Sequence, residues 1–197
     1  MKELKARLTF IEGLLGTANS DPNIHEEFIA SKSPDAPSRE EEIAALGVDE
    51  VIQRGKTIFS RDENGNPMLW DYQIKGFFKD ACGALRKVTG SESSKIKAYK
   101  KEIDGLIFPQ PRKIIIHTTE EIGSCQRPLR ANTPQGERTT LANSEEIAAS
   151  SYIDITIKCL CDSHMAVVKE WLDYGELKGL GQWRNSGKGR FVWEELK

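Results

Sequence analysis

Ser151-Tyr152-Ile153-Asp154-Ile155-Thr156-Ile157-Lys158-Cys159-Leu160 alternates polar and apolar residues almost without a break. A period of two puts every second side chain on one face, so the stretch reads as a strand buried on that face alone. Leu4-Lys5-Ala6-Arg7-Leu8-Thr9-Phe10 repeats the pattern and is closed by Gly13 and Gly16. Shorter strands are expected at Lys56–Ser60, Arg112–His117 and Arg190–Leu196, with an extended piece at Met68–Trp70.

Two helices accompany these strands. The first starts near Asp71 or Tyr72, and Ile74, Phe77, Phe78, Ala81, Leu85 and Val88 fall at helical spacing as its buried stripe. Gly90 to Ser94 ends it. The second is capped by Asp162 or Ser163 and runs to Tyr174, with Met165, Val168 and Leu172 on one side and Val167 and Trp171 beside them. Lys95 to Leu106 reads as a short basic helix or loop. This order predicts an α+β fold of ferredoxin-like (RRM-like) type, an antiparallel sheet with helices on one face. Single-stranded RNA often binds on such a sheet.

Two stretches interrupt the pattern. Residues 17 to 55 form an acidic insertion, a loop to residue 38 followed by a short helix from about 39 to 54 with Ser38 and Glu41 as a capping pair. Residues 21 to 55 hold nine acids against three bases in a chain of net charge -2, so the remainder is net positive. An insertion of this length is often functional, and a solvated surface excursion explains it as well. Residues 118 to 143 are polar and broken by Gly123, Pro128, Pro134 and Gly136. They carry Arg127, Arg130 and Arg138 and read as an extended hairpin or arm. At 197 residues, 38% of them hydrophobic, the chain fits one domain carrying these additions.

No apolar run is long enough to span a bilayer, and Met1 to Ile11 lacks a signal peptide's apolar centre. A cytoplasmic protein without a membrane partner is expected. Cys82, Cys125, Cys159 and Cys161 have neither zinc-site spacing nor scaffold density. Buried free thiols are expected, with no metal and no cofactor.

The stretch richest in chemistry is Gly179-Leu180-Gly181-Gln182-Trp183-Arg184-Asn185-Ser186-Gly187-Lys188-Gly189-Arg190-Phe191. Glycine reaches positive φ freely, and successive N–H groups in such a loop can form an anion-binding concavity. Arg184, Lys188 and Arg190 supply charge for phosphate, and Trp183 a face for a base. A tight turn before the last strand accounts for the glycines equally well. Lys75, Lys79 and Arg86 lie together on one helix face, either solvated or contacting phosphates.

Gly179-Leu180-Gly181, five residues, then Gly187-Lys188-Gly189 resembles the glycine loop of the RAMP superfamily, the repeat-associated proteins of CRISPR systems. Two further stretches resemble its backbone (crRNA-binding) branch. One runs from Phe59 to Lys79, with Arg61, Asp62, Gly65, Pro67, Lys75 and Gly76 at motif positions and Lys79 where the branch has arginine. Trp70 to Gln73 replace that branch's proline, glycine and serines. The other runs from Arg127 to Ile157, a basic arm followed by Glu145-Glu146-Ile147 and a strand. The resemblance implies a palm-and-thumb layout with residues 118 to 143 as a thumb-like arm. It implies that Lys75, Lys79, Arg184 and Lys188 contact RNA phosphates. Some members of that branch cut RNA with an aspartate placed like Asp21 or Asp35, and His25 is a loose candidate acid or base. Neither aspartate is singled out by its surroundings, and His117 and His164 fit structural roles.

The reading that follows is a non-enzymatic single-stranded RNA-binding protein, self-associating into a filament along RNA or joining CRISPR effector subunits. Its binding residues are Lys75, Lys79, Arg86, Arg127, Arg130, Arg138, Gly179, Gly181, Trp183, Arg184, Gly187, Lys188, Gly189 and Arg190. Three alternatives stay open. The chain could be a mobile-element protein that mimics such a subunit and inhibits the complex, as the acidic insertion suggests. It could be a phage single-stranded DNA-binding protein, since stacking on Trp183 and Trp70 does not separate DNA from RNA. It could be an endoribonuclease.

Overall fold

The structure, a computed structural model, describes residues 1–20, 56–133 and 136–197, without the side chains of 129–140. In chain order the strands and helices are β1 (Lys2–Phe10), β2 (Leu14–Leu15), β3 (Ala18–Asn19), β4 (Thr57–Ile58), β5 (Ser60–Arg61), β6 (Pro67–Trp70), α1 (Asp71–Leu85), α2 (Tyr99–Leu106), β7 (Ile107–Gln110), β8 (Lys113–Ile115), β9 (Gly123–Thr133), β10 (Gly136–Ile147), β11 (Tyr152–Cys159), α3 (His164–Tyr174) and β12 (Phe191–Glu195).

Strand β1 pairs antiparallel on both sides, with β11 from Lys2↔Cys159 to Thr9↔Tyr152 and with β12 from Ala6↔Glu195 to Phe10↔Phe191. The sheet order is β12-β1-β11-β7. Along β1, α1, β7, β11, α3 and β12 the chain follows the β-α-β-β-α-β path of the ferredoxin-like motif. The alternation of β1 and β11 is the cause. Leu4, Ala6, Leu8 and Phe10 face the core together with Ile153, Ile155 and Ile157. Lys5, Arg7 and Thr9 face the other way, opposite Thr156, Asp154 and Tyr152.

Helix α1 buries Ile74, Phe77, Phe78, Ala81 and Cys82, and α3 buries Val167, Val168, Trp171 and Leu172. Phe78 packs on Trp171 at 5.2 Å between ring centroids, and Phe77 meets the edge of Phe191 at 5.3 Å. Trp171 Nε1 donates to Ser93 Oγ at 2.9 Å, so this large side chain is buried with its polar atom satisfied. At the start of α1, the Trp70 N–H donates to Gln73 Oε1 at 2.7 Å, which caps the helix from its own first turn.

Two further sheets, of five and three strands, accompany this core. One has the order β2-β10-β4-β3 with β9 against β10, and the other the order β5-β6-β8. β3 and β4 pair through Ala18↔Ile58 and Asn19↔Thr57, and the Ser20 N–H donates to the Lys56 carbonyl at 3.1 Å. The expected helix at 39 to 54 lies outside the described residues. Among the described residues no helix is long and apolar enough to cross a membrane.

Four expectations need correction. The strand expected at Arg112–His117 is shorter, β8 over Lys113–Ile115, and lies in a side sheet, while the strand that pairs with β11 in the main sheet is β7. β7 has four residues, Ile107 and Pro109 buried and Phe108 and Gln110 exposed. A proline fits there because β7 is an edge strand. Helix α1 ends at Leu85, and Val88 is exposed in the following turn. Cys159 closes β11 and is buried, whereas Cys161 lies past its end and is exposed. The arm is a β9–β10 ladder whose lower end is packed, with Arg127, Ser144 and Ile147 buried.

Phe78 is fully buried between sheet and α3. Phe78→Ala is expected to lower unfolding free energy by about 3–5 kcal/mol, read from urea denaturation midpoints.

Candidate nucleic-acid interface

The glycine loop folds back on itself. Gly179, Gly181, Gly187 and Gly189 have φ of 79°, 76°, 86° and 71°. The Leu180 N–H donates to the Gly189 carbonyl at 2.8 Å, and the Gly189 N–H donates to Gly13 O at 2.9 Å. A Cβ at Gly189 would overlap the Leu180 carbonyl, and one at Gly179 would overlap Gly189. These two positions therefore serve backbone crossing. Trp183 also sits in the left-handed region, at φ 55°, and leads into a 3-10 turn at Arg184–Ser186. The residue is 38% exposed. A hollow of about 500 Å³ beside it is lined by Asp80, Lys178, Gly181, Gln182, Trp183, Arg184 and Asn185.

The loop's cations already have partners. Arg184 Nη1 donates to Asp80 Oδ2 on α1 at 2.8 Å, Lys188 Nζ to Glu146 Oε1 on β10 at 2.6 Å, and Arg190 Nε to the Glu176 carbonyl at 2.6 Å. Hydrogen bonding to Glu146 raises the Lys188 pKa above the ordinary lysine value. On α1, Lys79 pairs with Asp104 at 2.7 Å. Lys75 donates to the Asp104 carbonyl at 3.1 Å and lies 4.5 Å from the Phe108 ring centre. Arg86 lies over Tyr99. The face that groups these three in sequence is thus turned partly toward α2. Partly exposed pairs of this kind are worth up to about 1 kcal/mol each, so a phosphate competes with a carboxylate at modest cost.

Arg127 is the exception in burial, at 5% exposure. Its Nη1 donates to Ser144 Oγ at 3.1 Å and its Nη2 to Gln182 Oε1 at 2.7 Å, and the guanidinium lies 5.2 Å from the Trp183 ring centre. Its Nε has no partner among the described residues. Gln182 Nε2 donates in turn to the Gly16 carbonyl at 2.9 Å. The base of the arm, the glycine loop and the exit of β1 are therefore one hydrogen-bonded unit. Glu145 extends it. Its Oε2 accepts from the Phe59 N–H and its Oε1 from Arg61, both at 2.9 Å. The fold thus brings together Arg61, Glu145, Glu146 and the loop, which are far apart in sequence. Asp62, beside Arg61, accepts from the Asn64 and Asn66 N–H groups and shapes its turn.

Arg130 and Arg138 lie on β9 and β10, opposite Thr139 and Ala131. Asp21, His25 and Asp35 lie outside the described residues. His117 stacks on Tyr152, and His164 is buried with Nε2 3.1 Å from Glu102. No group of three or more His, Cys, Asp or Glu side chains that could hold a metal occurs among the described residues.

Sequence reasoning missed a row on the sheet face turned away from the core. Arg7 Nε and Nη2 donate to the two oxygens of Asp154, each at 2.8 Å. Arg7 also lies 4.1 Å from the Tyr152 ring centre, and His117 stacks against Tyr152 at 4.7 Å. The signal was available, because Tyr152 is a polar-face residue of the strictly alternating strand. Hydrogen bonding to Arg7 holds the Asp154 carboxyl below its usual pKa.

No protein-family model matches the chain, and no curated protein matches it. Among solved structures, its fold is similar to that of a chain in the cryo-EM structure of the Type III-B Cmr-beta bound to cognate target RNA, with a TM-score of 0.51 and 12% identity. The match covers 100% of this chain and 60% of that one, so the chain spans about three fifths of its neighbour's length. At this identity the likeness is one of fold.

Gly189→Ala is expected to destabilise by at least about 1–3 kcal/mol, because it adds both left-handed strain and overlap with Leu180. Thermal or chemical unfolding measures this. Asp154 stabilises the fold above its unfolded pKa of about 3.9, and this contribution is lost as pH falls through its lower folded value. Asp154→Asn should therefore flatten the loss of stability below about pH 4, read from urea midpoints across pH.

Proposed function

We propose that this protein binds single-stranded RNA without cutting it and resembles a backbone subunit of a CRISPR effector of the RAMP type. The observation that carries the proposal is the Trp183 platform. A half-exposed indole is held in a strained left-handed conformation, backed by a buried guanidinium, beside a hollow carrying Lys178 and Arg184. Aromatic faces flanked by cations suit successive bases and their phosphates without reading sequence. The unit of Gln182, Arg127 and Gly16 joins this platform to the β9–β10 arm, so a strand on the loop passes the arm's base. The similarity of fold to a chain from an assembly bound to target RNA supports the same reading.

A second reading is favoured by the internal pairing of Lys79, Arg184 and Lys188. A protein that copies such a subunit and occupies its place against other effector proteins has no use for free phosphate ligands. Such a mimic associates with effector subunits in the absence of RNA.

The test is binding of labelled single-stranded RNA at rising salt. Affinity should fall steeply between about 50 and about 200 mM salt. Trp183→Ala should weaken binding about tenfold and Trp183→Phe much less, given stacking worth about 1–3 kcal/mol per base. An affinity that ignores salt and Trp183 removes the RNA reading, and capture of effector subunits without RNA then establishes the mimic. Competition with DNA of matched sequence decides the sugar preference.

A further inference from the structure

A second groove lies away from the glycine loop. Its volume is about 580 Å³, and it opens at the edge of β7 and the start of α1, with Asp71, Phe108, Arg112 and Lys158 among its lining residues. Arg112 joins it to a pair of surface aromatic rings. Its guanidinium lies 5.9 Å from the Trp70 ring centre, and Trp70 stacks nearly parallel on Tyr72, at 6.3 Å and 13°. Tyr72 is 61% exposed although it is a large ring at a helix start. On the groove wall Phe108 is also exposed, and Lys75 lies 4.5 Å from its ring centre.

The charges differ from those of the glycine loop. Lys158 is paired with Glu3 at 3.3 Å, but among the described residues no carboxylate pairs with the exposed Arg112. Asp71 is engaged locally, accepting the Tyr72 N–H at 2.8 Å. The groove thus presents one aromatic wall, Phe108, and an available guanidinium, with the exposed Tyr72 ring of the Trp70–Tyr72 pair beside it. An aromatic ring takes a base and a guanidinium takes a phosphate, and a nucleotide carries both.

We infer that the groove at Phe108 and Arg112, together with the Trp70–Tyr72 pair beside it, is a second nucleotide-binding site, which holds a base of a single strand on that pair and its phosphate at Arg112. It stands independently of the glycine loop.

The test uses the indole N–H resonances of the four tryptophans in nitrogen-labelled full-length protein, assigned with Trp70→Phe and Trp183→Phe. Titration with a short single-stranded oligoadenylate should move the Trp70 resonance. Tyr72→Ala should weaken the affinity read there about tenfold, and Arg112→Gln should reduce the salt dependence by about one phosphate contact. Trp183→Ala should leave the Trp70 titration unchanged. If Trp70 stays still while Trp183 moves, the groove inference falls and the loop reading survives. If Trp70 moves while Trp183 stays still, the groove stands and the loop reading falls. If neither moves, both are overturned.

Discussion

The hydrogen bond from the Gly189 N–H to the Gly13 carbonyl joins the last loop to the end of the first strand. Two chain segments meet there at backbone distance, Gly189 having no Cβ because Leu180 crosses it and Gly13 none because the Glu146 side chain lies against it. The bond brings Gln182 within reach of Gly16 and Arg127, and Lys188 within reach of Glu146. It also feeds the chain into β12 beside β1, which closes the order of the main sheet. Arm, loop and sheet thus share one anchoring point.

Around that point the fold arranges opposite charges in pairs between separate elements. Asp80 on α1 meets Arg184, Glu146 on β10 meets Lys188, and Glu145 meets Arg61. Such pairs orient elements more than they stabilise them, since partly exposed pairs contribute little free energy. An anionic ligand at Arg184 or Lys188 therefore exchanges with a protein carboxylate. A carboxylate released in this way is the natural route by which binding at the loop is felt on α1 or on the arm.

Much of the fold was legible in the sequence. β1 and β11 were readable because one covered face imposes a strict period of two, and α1 and α3 because a single buried stripe imposes helical spacing. β7 was not readable, since four residues with a proline carry almost no periodicity and their strand character comes from pairing with β11. The candidate site was legible in its parts. The glycines, Trp183 and the basic residues all lie where the loop was expected. Their partners were not legible, because Asp80 and Arg184, or Glu146 and Lys188, meet only after the chain has folded. The burial of Arg127 was hidden for the same reason, since an arginine on a polar arm gives no local sign that Gln182 will cover it.

The two-rung ladder of β3 and β4 places Ser20 beside Lys56. The two ends that bound residues 21 to 55 therefore adjoin at one place on the sheet. Between adjoining ends, the entropic cost of closing a flexible segment grows by only about 0.6 kcal/mol for each doubling of its length. Adjoining ends of this kind hold β3 and β4 in register whatever length of chain joins them, which marks Ser20 and Lys56 as the natural boundaries for a graft or for new chain termini.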